Sequence, residues 1–305
     1  MAQETELGGY EIIGRLAMGG MAEVYQARAL PTTQRSPGEP DDVVLKRLLP
    51  TFRNDGAYVK QFVDEAKLTV RLRHPNIVRT FRCFKAGIDY LMVLELVSGR
   101  TLAYMQEAYM KAKVPVPPSA ATYIVFCLLN ALDYVHRAKV GDNGANIIHR
   151  DVNPANVLLG VNGDVKLTDF GVADVEGMMR GEAGALRGTV AYMSPEQVLG
   201  LPVDVRSDLF SAGVILWELF TNQRLFAGDS EMEMMHKVRA CKVPDVGELN
   251  PQVPDYGARI VRKALLADKS LRFASAADFA KALELLARRN GWPLTVEALK
   301  PLLGG

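Results

Sequence analysis

The chain has 305 residues, 49% of them hydrophobic, with 36 Lys and Arg against 35 Asp and Glu. That is enough apolar material for one large domain or two smaller ones, and the even charge balance gives no footing for a nucleic-acid partner or a polybasic membrane contact. The acidic start MAQETELGG lacks the apolar centre of a secretory leader, the apolar runs YLMVLELV and GVILWELF are too short to span a bilayer, and the isolated Cys83, Cys127 and Cys241 show neither metal nor redox spacing.

In chain order, the first elements read as strands. YEIIGRLA (10–17), AEVYQARA (22–29) and DVVLKRLL (42–49) are short β-rich segments bounded by glycine or turn residues. LPTTQRSPGEPDD, between the second and third, is polar and turn-rich and reads as an exposed hairpin loop. Its Thr32, Thr33 and Ser36 are candidate acceptors for self-modification. Val59, Phe62, Val63, Ala66 and Val70 then recur at helical spacing until Pro75 ends the pattern. FRCFKAG and DYLMVLEL make a further strand pair.

Past Ser98-Gly99 the period lengthens. TLAYMQEAYMKA, SAATYIVFCLLNALDYVHRA, SDLFSAGVILWELFTN, DYGARIVRKALL and ASAADFAKALELLARR all read as helices. The expectation is an α+β chain of two lobes: a small antiparallel sheet with one helix over 10–94, a joint at 95–98, and a helical lobe over 99–290. Residues 1–9 and 291–305 read as tails. A ligand is expected where the lobes meet.

The chemistry-bearing residues cluster in the helical half. IIHRDVNPANVLL (147–159) sets His149-Arg150-Asp151, then four intervening residues, then Asn156, and Asp169-Phe170-Gly171 follows the short strand Val165-Lys166-Leu167. In this set the chain resembles the Hanks-type bacterial serine/threonine protein kinases, over roughly residues 10–290. The resemblance implies a catalytic base at Asp151 and a metal held by Asn156 and Asp169, because phosphoryl transfer needs a carboxylate near the attacking hydroxyl and cations on the phosphates. It implies ATP with Mg2+, or Mn2+ in its place, and protein substrates with Ser or Thr acceptors. Gly188-Thr189-Val190-Ala191-Tyr192 matches the substrate-docking segment, with Thr189 set to position Asp151.

The same resemblance extends to the strand half. Lys46 matches the lysine on the α- and β-phosphates, and Glu65 its ion-pair partner. Val24, Val44 and Leu158 would sandwich the adenine, Leu94 takes the gatekeeper place, and the backbone of Glu95 and Val97 would meet its edge. The phosphate-covering loop is Leu16, Ala17, Met18, Gly19, Gly20, Met21, Ala22, Glu23 and Val24. Of the family's three motif glycines only Gly19 remains, since Ala17 and Ala22 replace the outer two. Glu196, in Ser194-Pro195-Glu196, is expected to pair with Arg272, and Asp208 to hold the backbone of the His149–Asp151 turn.

Two positions depart from the family. Asn153 stands where a lysine contacts the γ-phosphate, offering a neutral donor without charge. Residues 172–188 contain no Ser, Thr or Tyr, so loop phosphorylation cannot supply Arg150 with a partner unless Thr189 itself is modified, although Asp174, Glu176 and Glu182 carry carboxylates. Activity independent of loop phosphorylation is therefore expected, with regulation left to a separate protein partner in a cytoplasmic setting. The alternative is a pseudokinase that binds nucleotide without transfer, favoured by Asn153 and the altered glycine loop. A small-molecule phosphotransferase would lack Arg150 and the Glu196–Arg272 pairing. A dinucleotide oxidoreductase fails, because the glycine loop joins two strands and not a strand and a helix.

Overall fold

Two-residue alternation sorts the first sheet into faces. The structure, a computed structural model, describes residues 5–140, 145–170 and 190–303. Six strands, β1 (Glu6–Leu7), β2 (Tyr10–Met18), β3 (Ala22–Ala29), β4 (Asp42–Leu48), β5 (Thr80–Ala86) and β6 (Asp89–Glu95), form one antiparallel sheet ordered β1-β2-β3-β4-β6-β5. Val43 and Leu45 turn into a core with Leu7, Tyr10, Ala27, Phe81, Leu91 and Val93, so Val44 and Lys46 face the opposite side. Helix α1 (Gly56–Thr69) starts at Asp55, whose side chain accepts the Ala57 N–H and satisfies one orphan donor of the first turn.

Two segments of this unit are more ordered than their composition suggests. Residues 1–9 read as a tail, yet Glu6 and Leu7 pair with β2 and Leu7 joins the core. The β3–β4 connection, expected to be an exposed loop, is pinned by Glu39. Its carboxylate is buried, accepts from Tyr10 Oη and from Ser36 N (2.9 Å), and lies 3.3 Å from Arg82 Nε. Burial and the Glu39 hydrogen bond push the Tyr10 phenol up to about 12. Thr33 Oγ1 donates to Gly9 O, so its hydroxyl is engaged, whereas Thr32 stays exposed.

The chain divides into two units, Met1–Val97 and Ser98–Gly305. The second is built from helices α2 (Leu102–Ala112), α3 (Pro118–Arg137), α4 (Pro195–Val198), α5 (Val205–Thr221), α6 (Glu231–Ala240), α7 (Val246–Leu249), α8 (Asp255–Ala264), α9 (Ala276–Asn290) and α10 (Lys300–Leu303). Short strands β7 (Gly99–Thr101), β10 (Val157–Gly160) and β11 (Val165–Leu167) form one sheet, and β8 (Lys139–Val140) pairs with β9 (Ala145–Asn146). Helix α5 is buried from Ser207 to Thr221 and packs against α3 and α8. By length and composition α3 could cross a membrane, which counting only unbroken apolar runs overlooked; in this fold Ala120, Ile124, Leu128, Leu132 and Val135 are buried as it packs against α5 and α9. Each such fully buried Leu, Ile or Val contributes about 1.5–3 kcal/mol.

Residues 291–305 also read as a tail. In the structure Gly291, at φ 64°, ends α9, Trp292 N–H donates to Ala287 O (2.9 Å), and Ala298 and Leu299 are buried. Gly99 is a position where only glycine fits. It pairs with Gly160 across β7 and β10, and a Cβ there would fall 1.9 Å from Leu159 O. That oxygen is backbone and cannot step aside. Gly99→Ala is expected to destabilise the protein by about 1–3 kcal/mol, read as a lower urea midpoint; an unchanged midpoint would contradict this packing.

Candidate active site

In the first unit the candidate residues converge on the sheet face opposite the Val43–Leu45 core. Cross-strand register aligns Val24, Lys46 and Met92, and next to them Gln26, Val44 and Leu94. Lys46 and Glu65 are both buried, with Nζ 2.7 Å from Oε1. A buried ammonium needs such a partner, and the pairing fixes the lysine's direction. Thr69 Oγ1 donates to Glu65 O (2.9 Å), tying the end of α1 to the acid's own backbone. Glu95 N–H donates to Arg79 O (2.8 Å), which leaves no donor at that residue for a ligand.

The hairpin between β2 and β3 is closed by Gly19 N–H on Ala22 O (2.8 Å), with Ala17 opposite Val24 and Met18 opposite Glu23. Gly19 does not adopt a positive φ, and a Cβ there would lie 3.5 Å from Ala22 O, an ordinary contact. Nothing in the hairpin itself calls for glycine at 19. Leu16 and Met18 are exposed and Ala22 is buried.

In the second unit Asp208 organises the His149–Asp151 turn. Its carboxylate, almost wholly buried, accepts from His149 N (2.8 Å), Arg150 N (2.8 Å) and His136 Nε2 (2.7 Å). Burial alone would raise the Asp208 carboxyl, but these donors outweigh it and hold the group below its ordinary range. Arg150 (φ 66°) and Asp169 (φ 55°) sit in the left-handed region, which costs a non-glycine residue about 1–3 kcal/mol. The Asp208 bonds and a Gln197 Nε2 bond to Arg150 O (2.9 Å) hold the first of these in place. His149 is fully buried against Phe170, its ring centroid 4.7 Å from that of Phe170. Its Nδ1 accepts from Asp151 N (3.3 Å) and its Nε2 lies 3.2 Å from Thr168 O, the pattern of a neutral ring, and burial pushes its pKa down.

Asp151 is gripped by two amides. Asn153 Nδ2 donates to its Oδ1 (2.8 Å) and its carbonyl O (3.2 Å), while Asn156 Nδ2 donates to its Oδ2 (2.9 Å) and the same O (2.9 Å). Burial drives the carboxyl upward, the two amides pull it back, and Asp169 and Asp208 add repulsion, leaving it at about 6. That value suits a proton acceptor at neutral pH. A bound divalent cation would draw it lower.

The donor set fits a hard cation. With Nδ2 spent on Asp151, Asn156 has Oδ1 left, and Thr168 N–H on Asn156 O (2.9 Å) ties β11's end, and so Asp169, to the same turn. An amide oxygen plus a carboxylate suits Mg2+, which keeps waters and substrate phosphates in its shell. Among the described residues no group of three or more His, Cys, Asp or Glu gathers as a ready-made metal cage, as expected for such a site. Thr189, Gly171, Asp174, Glu176 and Glu182 lie outside the described residues.

The expected Glu196–Arg272 pair is present and bidentate, NH1 to Oε1 at 2.7 Å and NH2 to Oε2 at 2.8 Å. The sequence reading missed Gln197, although Ser194-x-x-Gln197 is a capping-box signature and both of its bonds form. It also missed Glu218, a buried acid of α5 that accepts from Tyr192 Oη (2.7 Å) and Arg224 NH1 (2.9 Å).

The protein kinase domain family matches residues 10–283. This chain belongs to that family. A tyrosine-protein kinase, MasK of Myxococcus xanthus, is 32% identical over 279 residues, covering 91% of this chain and 43% of MasK. The probable serine/threonine-protein kinase SCO3848 of Streptomyces coelicolor is 35% identical over 311 residues, 98% of this chain and 42% of that protein. Serine/threonine-protein kinase PrkC of Bacillus subtilis is 31% identical over 272 residues, 89% and 39%. The chain thus spans less than half the length of these kinases. Among solved structures, the Mycobacterium tuberculosis PknI kinase domain superposes with TM-score 0.67 at 25% identity, over 94% of this chain and all of that one. The kinase fold, a sheet-rich unit followed by a helical one, is the α+β architecture expected above.

Proposed function

We propose that this kinase-family chain is an ATP-dependent serine/threonine protein kinase, moving the γ-phosphoryl group to Ser or Thr hydroxyls of proteins and of itself. The observation that carries the reading is Asp151, a carboxylate with an elevated pKa held by Asn153 and Asn156 within a turn built on Asp208. In this reading Asp151 takes the proton of the acceptor hydroxyl. Asn156 and Asp169 would hold Mg2+ or Mn2+, which when bound would neutralise phosphate charge. Lys46, fixed by Glu65, grips the α- and β-phosphates under the 16–24 hairpin. Val24, Val44 and Leu158 enclose the adenine, with Leu94 as gatekeeper and the Glu95–Val97 backbone at its edge. Thr189, by the resemblance, would position Asp151.

The names of SCO3848 and PrkC support the Ser/Thr acceptor. A pseudokinase is disfavoured by retention of Lys46, Glu65, Asp151, Asn156 and Asp169 together. The proposal extends to a cytoplasmic location and to control by a separate protein, supported by the isolated cysteines and by a 172–188 segment without a hydroxyl to phosphorylate. The test is transfer from radiolabelled ATP with Mg2+ to peptides bearing Ser, Thr or Tyr, followed by phosphoamino-acid analysis. Phosphoserine or phosphothreonine is expected. Phosphotyrosine alone would overturn the acceptor assignment, and nucleotide binding without transfer would overturn the enzyme.

A further inference from the structure

We propose that Asn153 is a positioning residue for Asp151 and not a ligand of the transferred phosphate. The inference rests on the kinase reading above and changes the role that the family resemblance implies at this position. There a lysine meets the γ-phosphate, and an asparagine looks like its neutral substitute.

The geometry leaves no group for that task. A primary amide has two N–H donors and one carbonyl oxygen. The Asn153 Nδ2 is held at Asp151 by two contacts, to Oδ1 (2.8 Å) and to the backbone O (3.2 Å). Its Oδ1 accepts the Ala155 N–H (2.9 Å) and caps the 3-10 turn Pro154–Asn156. The side chain is 5% exposed. Asn153 therefore does two things at once. It fixes the rotamer of the Asp151 carboxylate, and it starts the turn that delivers Asn156. Asn156 in turn holds the other carboxylate oxygen (2.9 Å), so the two amides clamp Asp151 from both sides.

A lysine could not take over this role. An ammonium has three donors and no acceptor, so Ala155 N–H would lose its cap, and the flexible stem would not fix one carboxylate oxygen. Restoring the family's residue should thus harm this enzyme. A phosphate-contacting asparagine makes the opposite forecast, since added charge would stabilise the transfer.

Two measurements decide it. The first compares kcat and KM for ATP in the native chain, Asn153→Lys and Asn153→Asp, with thermal melts to confirm folding. Asn153→Asp keeps the cap oxygen but turns the donor side into a second carboxylate against Asp151, so it breaks the clamp while the turn keeps its cap. Both variants are expected to lose about 10²-fold in kcat, the effect of a misplaced catalytic group, with KM for ATP changed by less than about twofold. An Asn153→Lys variant as fast as or faster than the native chain would overturn the proposal. The second is a crystal structure of the native chain with Mg2+ and a non-hydrolysable ATP analogue. Asn153 Nδ2 is expected to remain on Asp151 Oδ1; Nδ2 turned onto a γ-phosphate oxygen would overturn it. If the native chain transfers no phosphate, the functional reading fails, and the crystal structure still decides whether Asn153 serves Asp151.

Discussion

Asp151→Asn is expected to lower kcat for peptide phosphorylation by about 10²–10⁴-fold, the range for loss of a general base. The substitution keeps shape and removes the proton acceptor. Asn153 Nδ2 and Asn156 Nδ2, which now donate to the two carboxylate oxygens, would face one amide oxygen and one NH2 group, so one of the two bonds is lost. The cost of that loss is about 1 kcal/mol in stability, small enough for the fold to persist. Nucleotide affinity is expected to stay within about threefold, because the proposed phosphate and metal groups, Lys46, Asn156 and Asp169, are untouched. Calorimetric titration with an ATP analogue and Mg2+, run beside steady-state transfer, separates the two effects. A variant that retains activity within tenfold of the native rate would remove Asp151 from the base's role.

How far the site was legible before the structure varies by residue, for physical reasons. Lys46 and Glu65 were found through the family resemblance, and each sits in a strongly patterned element that fixes its face: Lys46 alternates with Val43 and Leu45, and Glu65 lies between the apolar positions Phe62 and Ala66 of α1. Glu196 and Arg272, 76 residues apart in the chain, were findable only through the family resemblance, since no local rule connects them. Glu39 was missed because one acid among Pro, Gly and Ser looks like any solvated loop residue. Only the folded loop shows it buried between Tyr10, Ser36 and Arg82. Leu7 and Leu299 were missed for a related reason: two or three apolar residues near a chain end show no period to read, though both are buried. Asn153 is the informative intermediate. Residue type and spacing placed it at the reacting centre, but the direction of its amide depends on which donors and acceptors surround it, and composition does not carry that.

Arg272→Ala is expected to destabilise the protein by about 3–5 kcal/mol, the cost of stranding one member of a buried ion pair. The Arg272 side chain is fully buried. Besides the bidentate pair with Glu196, its Nε donates to Leu266 O (2.7 Å) and its NH2 to Ala267 O (3.0 Å), and its guanidinium lies 4.8 Å from the Phe210 ring centroid. With NH1 also donating to Arg206 O (3.2 Å), truncation would leave an ionised carboxylate and three carbonyls without these donors. Lysine would not rescue it, since one ammonium cannot reproduce the planar fork. The loss should depend on pH, and its sign follows from Glu196. Burial pushes that carboxyl up, but Arg272 and Ser207 outweigh it and hold the folded value below the ordinary 4.5. Its contribution is therefore fully present above the unfolded value and fades as pH falls through the folded one. Without Arg272 the buried carboxyl would sit higher and be neutralised sooner. Urea melts of native and Arg272→Ala protein should differ most near neutral pH, and the gap should narrow as the pH is lowered through and below 4.5. A gap that stayed constant across that range would mean that the arginine contributes through packing and carbonyl bonds alone, and not through Glu196.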